Sequence, residues 1–257
     1  MTARHFDHAL DPRRLPRLGL VVLQADETIE LDFRRLVPAG TELLVTRVPS
    51  GDEVTPETLA AMEHHLGAAA ALLPRSQPFD CLAYACTSGA AQISPGRTAA
   101  ILGDAVPLRA ASDPVTALTA ACHALGIRRL GLLSPYTSEV SDRLRAVLSA
   151  AGIDTPVFGS FNVAEEARVV RIDHASIARA ATTLAATGGI DALFLSCTNL
   201  RTLDLIGDLE HTTGLPVLSS NQVLAWHMLG HAGLSAPDAA PGRLFRAAPL
   251  ASAFGDQ

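Results

Sequence analysis

The sequence predicts an α/β protein made of two duplicated parallel-sheet units. Three observations carry this. Short apolar runs alternate with longer helical patterns along the whole chain. Most of those runs are continuously hydrophobic, as strands covered on both faces are. And the chain echoes itself: FDCLAYACTSG at 79–89 returns as IDALFLSCTNL at 190–200. Asp80/Asp191, Leu82/Leu193, Cys86/Cys197 and Thr87/Thr198 are each 111 positions apart, and RLGLVV at 17–22 matches RLGLLS at 129–134 with an offset of 112. Two matches at nearly one offset indicate an internal duplication. If the halves face each other, so do the two Cys-Thr corners.

Strands are expected at 18–23, 42–48, 81–85, 130–134, 157–161, 192–196 and 216–218. Between them lie helices with recognisable ends. TPETLAAMEHHL has Thr55 at the cap and Pro56 in the first turn. DPVTALTAACHALG starts at Asp113-Pro114 and stops at Gly126. SEVSDRLRAVLSAAG ends at Gly152, and DHASIARAATTLAATGG at Gly188-Gly189. Strand–helix–strand repetition implies right-handed crossovers in a parallel sheet. The duplication divides the chain near residue 114, giving 1–113 plus 220–257 as one domain and 114–219 as the other. SSNQVLAWHMLGHAG reads as an amphipathic helix packed back on the first unit, and the Ala/Pro-rich 236–257 as a mobile tail.

Composition excludes several functions. The chain has 257 residues, 48% hydrophobic and 18% charged, with a net charge of −6. No basic tract interleaves with aromatics, so nucleic acid is not an expected partner. No apolar stretch has the length of a membrane span, roughly 18 residues or more, and no secretory-type apolar core follows the N-terminus, so a cytoplasmic protein is expected. All 20 basic residues are Arg. Without Lys there is no Schiff base to pyridoxal phosphate and no P-loop lysine. No G-x-G-x-x-G follows a strand, and no Cys pair has zinc spacing. HMLGH offers His227 and His231 at i, i+4 but lacks a metalloprotease Glu; two surface or capping histidines fit better. The expected cofactor is none.

The chemistry falls on the corners. In an open parallel sheet, ligands sit beyond the carboxyl ends of the strands. Cys86 and Cys197 each end an apolar run and precede an expected helix start, whose free N–H groups hold anions and lower a thiol's pKa. Thr87, Ser88, Thr198 and Asn199 add hydroxyl and amide donors. Cys81 and Cys122 read as core. Two opposed thiols suit inversion of a stereocentre beside a carboxylate, one as base and one as acid. They equally suit thiolate addition to an activated alkene, bond rotation and elimination.

YACTSG, SCTNLRTLD and PVLSSNQVLAWHML resemble the aspartate/glutamate/hydantoin racemase superfamily, in its maleate isomerase and arylmalonate decarboxylase branch. LVVLQADETIELDFRRL, VTPETLAAM and GSFN are most similar to the ectoine/hydroxyectoine-utilisation, maleate isomerase-like subgroup. The resemblance covers about residues 17–233. It implies two Rossmann-like domains related by a pseudo-twofold axis, an active site between them and no cofactor. It implies Cys86 and Cys197 as the catalytic pair, Tyr136 in LLSPYTSEV and Asn162 in GSFN as substrate-binding residues, and a homo-oligomer as compatible with the relatives. Ordinary readings compete: a helix-entry aromatic for Tyr136, a turn cap for Asn162. Where maleate isomerases carry Asn after the first strand, this chain has Asp26. An anion there favours an amino-dicarboxylate such as aspartate over maleate; alternatively Asp26 or Glu27 caps the following helix. The leading expectation is a cofactor-independent two-cysteine racemase or isomerase of a small dicarboxylate or amino-dicarboxylate. The alternatives are maleate cis–trans isomerase proper, an arylmalonate-type decarboxylase, or a non-catalytic ligand-binding protein.

Overall fold

The computed structural model describes residues 3–247. Two four-stranded parallel sheets carry the chain. The first contains β1 (Arg17–Leu23), β2 (Glu42–Val48), β3 (Cys81–Ala85) and β4 (Ala111–Ser112), in the order β2-β1-β3-β4. The second contains β5 (Arg129–Ser134), β6 (Asp154–Ser160), β7 (Ala192–Leu195) and β8 (Val217–Ser219), in the order β6-β5-β7-β8. The second order is the first repeated with every number raised by four, which is how a duplicated chain folds. The two-residue β4 is the strand that hydrophobic patterning did not find, because it is too short to make a pattern.

Ten α-helices accompany these strands among the described residues. They are α1 (Ile29–Leu36), α2 (Pro56–Ala70), α3 (Thr87–Ile93), α4 (Pro95–Ala105), α5 (Pro114–Leu125), α6 (Ser138–Ala150), α7 (Glu166–Val169), α8 (His174–Ala186), α9 (Ile206–Thr213) and α10 (Ser220–His231). The expected caps are present. The Thr55 side chain accepts from Thr58 N ahead of α2, and Asp113 accepts from Val115 N and Thr116 N ahead of α5. Gly126 takes φ +68° to end α5.

The repeated sequence now has a physical reading. Asp80 Oδ2 accepts from Arg17 N at 2.8 Å, and Asp191 Oδ2 accepts from Arg129 N at 2.8 Å. Each repeated aspartate therefore pins the start of the neighbouring strand. Leu82 pairs with Gly19 across the first sheet and Leu193 with Gly131 across the second. A Cβ on Gly19 would come within 2.6 Å of Leu82 Cδ1, and one on Gly131 within 3.0 Å of Leu193 Cδ2, so the repeated leucines occupy the space the repeated glycines leave.

Two expectations about the C-terminal part are corrected. The helix α10 is not amphipathic: every residue from Ser220 to Leu229 is buried, because it lies against β3, α1 and α5 at once. A helix enclosed on all sides shows no polar stripe. The expected tail is packed as far as it is described: Leu244 is buried, Arg243 N donates to both carboxylate oxygens of Glu210 at 3.0 Å, and Gln222 Nε2 donates to Pro241 O at 2.8 Å. Residues 248–257 lie outside the described residues. No helix of the described residues is long and apolar enough to cross a membrane.

Candidate active site

Cys86 follows the end of β3 directly and Cys197 stands two residues past the end of β7, and both side chains line one cavity with Leu23, Asp26, Thr87, Ser88, Tyr136, Glu166, Thr198 and Asn199. The cavity is closed down to about 10 Å³ of room for the centre of a water-sized body, enough for about one water. Of the nine residues expected at the site, eight line it. Asn162 does not: it is exposed, at φ +54°, with its backbone N–H on Ser160 Oγ at 2.8 Å, so it turns the chain toward α7.

The two thiols are held differently. Cys86 caps α3, and its Sγ accepts from Gly89 N at 3.2 Å. Gly89 is required there, since a Cβ would lie 2.3 Å from Tyr84 Oη and 3.0 Å from Cys86 Sγ. After Cys197 no helix follows, contrary to expectation. The chain instead turns at φ +98°, a strained conformation for a side chain with a Cβ, and Cys197 Sγ accepts from Asn199 N at 3.3 Å. The expected depression of the thiol pKa values is not found either. Burial pushes Cys86 up to about 12 despite the Gly89 N–H, and burial with the nearby Glu166 carboxylate pushes Cys197 well above its ordinary value. Burial thus favours the neutral thiol at both positions. Cys81 and Cys122 are buried in the core, as expected.

A hydrogen-bonded chain leads away from Cys197. Its Sγ lies 2.9 Å from Tyr136 Oη, which donates to Glu166 Oε1 at 2.6 Å; Glu166 Oε2 accepts from Asn199 Nδ2 at 2.7 Å. Burial raises the Glu166 pKa, while Tyr136 and Asn199 lower it. Sequence reading missed Glu166. It stands at the start of a four-residue helix, four residues past GSFN and inside none of the resembling stretches. It reaches the site because loops of the two halves pair: Val54 N donates to Ala164 O at 2.9 Å and Glu166 N to Asp52 O at 3.1 Å.

Further bonds join the corners. Ser220 Oγ accepts from Thr87 Oγ1 at 2.8 Å and from Cys197 N at 3.0 Å, so one hydroxyl links the two thiol-bearing turns. Asn199 Oδ1 accepts from Glu27 N at 2.9 Å. Asp26 performs the helix-cap role: its Oδ1 accepts from Thr28 N at 2.8 Å and Ile29 N at 2.9 Å. Its Oδ2 is buried in the cavity wall without a partner. Of the two histidines expected at the surface or as caps, His227 is inward, while the half-buried His231 ends α10. His227 is buried with Nδ1 2.8 Å from Ser112 Oγ, and its ring meets His231 edge-on at 4.6 Å.

The arylmalonate decarboxylase family model matches residues 102–245, more than half of the chain. The chain belongs to the arylmalonate decarboxylase family. The family includes an arylmalonate decarboxylase of Bordetella bronchiseptica, 33% identical over 133 residues, a match spanning 51% of this chain and 55% of that protein. A maleate isomerase of Nocardia farcinica is 27% identical over 242 residues, covering 90% of this chain and 95% of that one. A solved structure of that organism's maleate cis–trans isomerase, a mutant with a covalently bound succinylcysteine intermediate, superposes with a TM-score of 0.73 at 26% identity over 90% of this chain and 98% of its own. These relatives place this member of the arylmalonate decarboxylase family among cysteine-based isomerases and decarboxylases.

Proposed function

We propose that the protein is a cofactor-independent two-thiol isomerase or racemase of a small dicarboxylate or amino-dicarboxylate, with Cys86 and Cys197 as the reacting groups. The carrying observation is that two thiols from equivalent corners of the two halves line a single closed cavity. Thr87, Ser88, Thr198, Asn199 and Tyr136 surround the reacting carbon in this reading. The resemblance to ectoine/hydroxyectoine-utilisation proteins supports an amino-dicarboxylate of that catabolism.

The Cys197 chain supplies the base. A buried thiolate beside a carboxylate would put two negative charges together. Passing the Cys197 proton through Tyr136 to Glu166 avoids that: the S–H proton moves to Tyr136 Oη as the phenolic proton moves to Glu166 Oε1. One thiolate and one neutral carboxylic acid result. The thiolate either removes the α-proton while Cys86 donates one to the other face, or adds to an alkene carbon. In the second case the C–C bond rotates and the thiolate leaves again. The covalent succinylcysteine in the Nocardia farcinica isomerase supports the addition route.

The family match also favours a decarboxylase reading. Proton NMR in deuterium oxide separates the three, with maleate, both aspartate enantiomers, hydroxyaspartates and phenylmalonate offered to reduced protein. Solvent deuterium at the α-carbon marks racemisation and a vinyl shift marks cis–trans conversion. Carbon dioxide release that survives Cys86→Ala marks decarboxylation. Loss of racemisation or isomerisation by at least about 10³-fold in both Cys86→Ala and Cys197→Ala is the expected result; turnover persisting in both variants would remove the two-thiol reading.

A further inference from the structure

We propose that the cavity takes a substrate bearing a positively charged nitrogen, and that Asp26 Oδ2 is the seat of that nitrogen. The inference rests on the two-thiol reading for the reaction and adds the charge of the molecule transformed.

The argument begins with charge. Two carboxylates line the cavity, Asp26 and Glu166, and no Arg or His side chain lines it. Arg47, whose charge lowers the Asp26 pKa, is not in the lining. Its Nη1 donates to the carbonyls of Leu23, Gln24 and Asp26, and its Nη2 pairs with Glu30. Moving the Cys197 proton to Glu166 does not remove the second negative charge, because the thiolate then carries it. A dianion such as maleate would add its charge to a cavity lined by two acidic groups, whose ionisation burial already opposes and which Arg47 offsets only from outside the lining.

Donor and acceptor directions lead to the same conclusion. Every partner of these carboxylates is a donor: Thr28 N–H and Ile29 N–H on Asp26 Oδ1, Tyr136 O–H on Glu166 Oε1, Asn199 N–H on Glu166 Oε2. These donors favour the ionised forms, against burial, which raises both pKa values. Oδ2 makes no hydrogen bond of normal length, and the Thr198 side chain beside Asp26 favours its charged form. Asp26 is only 4% exposed and lines the cavity, so the missing bond falls to whatever occupies the cavity. The bond it lacks is a donated one, and an ammonium supplies both the donor and a balancing charge. The substrate's carboxylate is left to the hydroxyl and amide donors of the Cys86 and Cys197 corners.

The test compares matched acids with and without nitrogen: L- and D-aspartate against succinate, alanine against propionate, 2,4-diaminobutyrate against butyrate. Each is titrated into wild-type protein, Asp26→Asn and Glu166→Gln, following the melting temperature and the heat of binding. At least one amino acid is expected to bind about tenfold or more tightly than its nitrogen-free partner. That preference is expected to collapse in Asp26→Asn, where maleate and succinate gain. Wild-type protein that prefers no amino acid over its partner, or an Asp26→Asn protein that keeps the preference, overturns the proposal. The same acids in the deuterium NMR assay of Cys86→Ala and Cys197→Ala separate the two levels. Charge preference with turnover indifferent to both thiols defeats the reaction reading alone. Thiol-dependent turnover with no nitrogen preference defeats the charge proposal alone.

Discussion

At Cys197 the backbone and two polar side chains converge on one sulfur. The left-handed turn aims Sγ back at Asn199 N, and Tyr136 Oη stands 2.9 Å away with Glu166 behind it. Such a relay changes the expected pH dependence. Burial pushes both thiols upward, Cys86 to about 12, so a thiolate formed by losing a proton to solvent would grow tenfold per pH unit below its pKa. A proton kept inside the Tyr136–Glu166 chain produces no such slope. Wild-type kcat is therefore expected to be level between about pH 7 and 9, while Tyr136→Phe falls by about 10²-fold or more and acquires a rising limb of about tenfold per unit. Rate measurements across that range check it; a Tyr136→Phe profile parallel to wild type would refute the relay. The sequence made Cys86, Cys197 and their neighbours legible because duplication printed the corner twice. Glu166 was not legible. It comes from neither copy of the corner and joins the site only through loop pairing between the halves.

The elements show which parts of the repeat serve folding and which serve chemistry. The strands were readable since each is a continuous apolar run, and caps such as Thr55 and Asp113 marked the helix starts. The turn after Cys197 was misread as a helix start: Thr and Asn are good cap residues, but here they serve a turn closed by sulfur. The helix α10 was misread for a different reason, because its polar residues Ser220, Asn221 and His227 are buried against partners from both halves. Asp80 and Asp191 hold the same place in the two sheets but differ in surroundings. The Asp80 side chain is 10% exposed and also pairs with Arg14 and Arg109, whereas the Asp191 side chain is 34% exposed and pairs with Arg129. Removing a buried acceptor costs more than removing a wetted one. Asp80→Ala is expected to lose about 2–3 kcal/mol of unfolding free energy and Asp191→Ala about 1 or less, measured by urea titration. Equal losses would mean that the strand-start bond alone sets the contribution.

Across the whole molecule, buried ionisable groups hold the two halves together and impose opposing pH dependences. Asp32 on α1 accepts from Asn221 Nδ2 of α10 at 2.8 Å, and the same nitrogen donates to Thr198 O at 2.9 Å, so this acid supports the Cys197 corner from the other half. Burial raises Asp32 from 3.8 to about 6, and burial together with His231 lowers His227 from 6.5 to about 4. Between pH 3.8 and 6 the folded chain keeps a proton on Asp32 that the unfolded chain has released, so stability falls as pH rises through that window. Between pH 4 and 6.5 the unfolded chain holds a proton on His227 that the folded chain refuses, so stability rises with pH there. Each shift corresponds to about 3 kcal/mol at 1.36 kcal/mol per unit. Two differences isolate them in equilibrium unfolding from pH 4 to 7. The stability of Asp32→Asn relative to wild type should climb by about 3 kcal/mol as pH rises. The stability of His227→Gln relative to wild type should fall by a similar amount over the same interval. Variants whose differences from wild type stay constant with pH would show that neither group is titrating between the folded and unfolded chains, and that the contact between α1 and α10 does not depend on the protonation of Asp32.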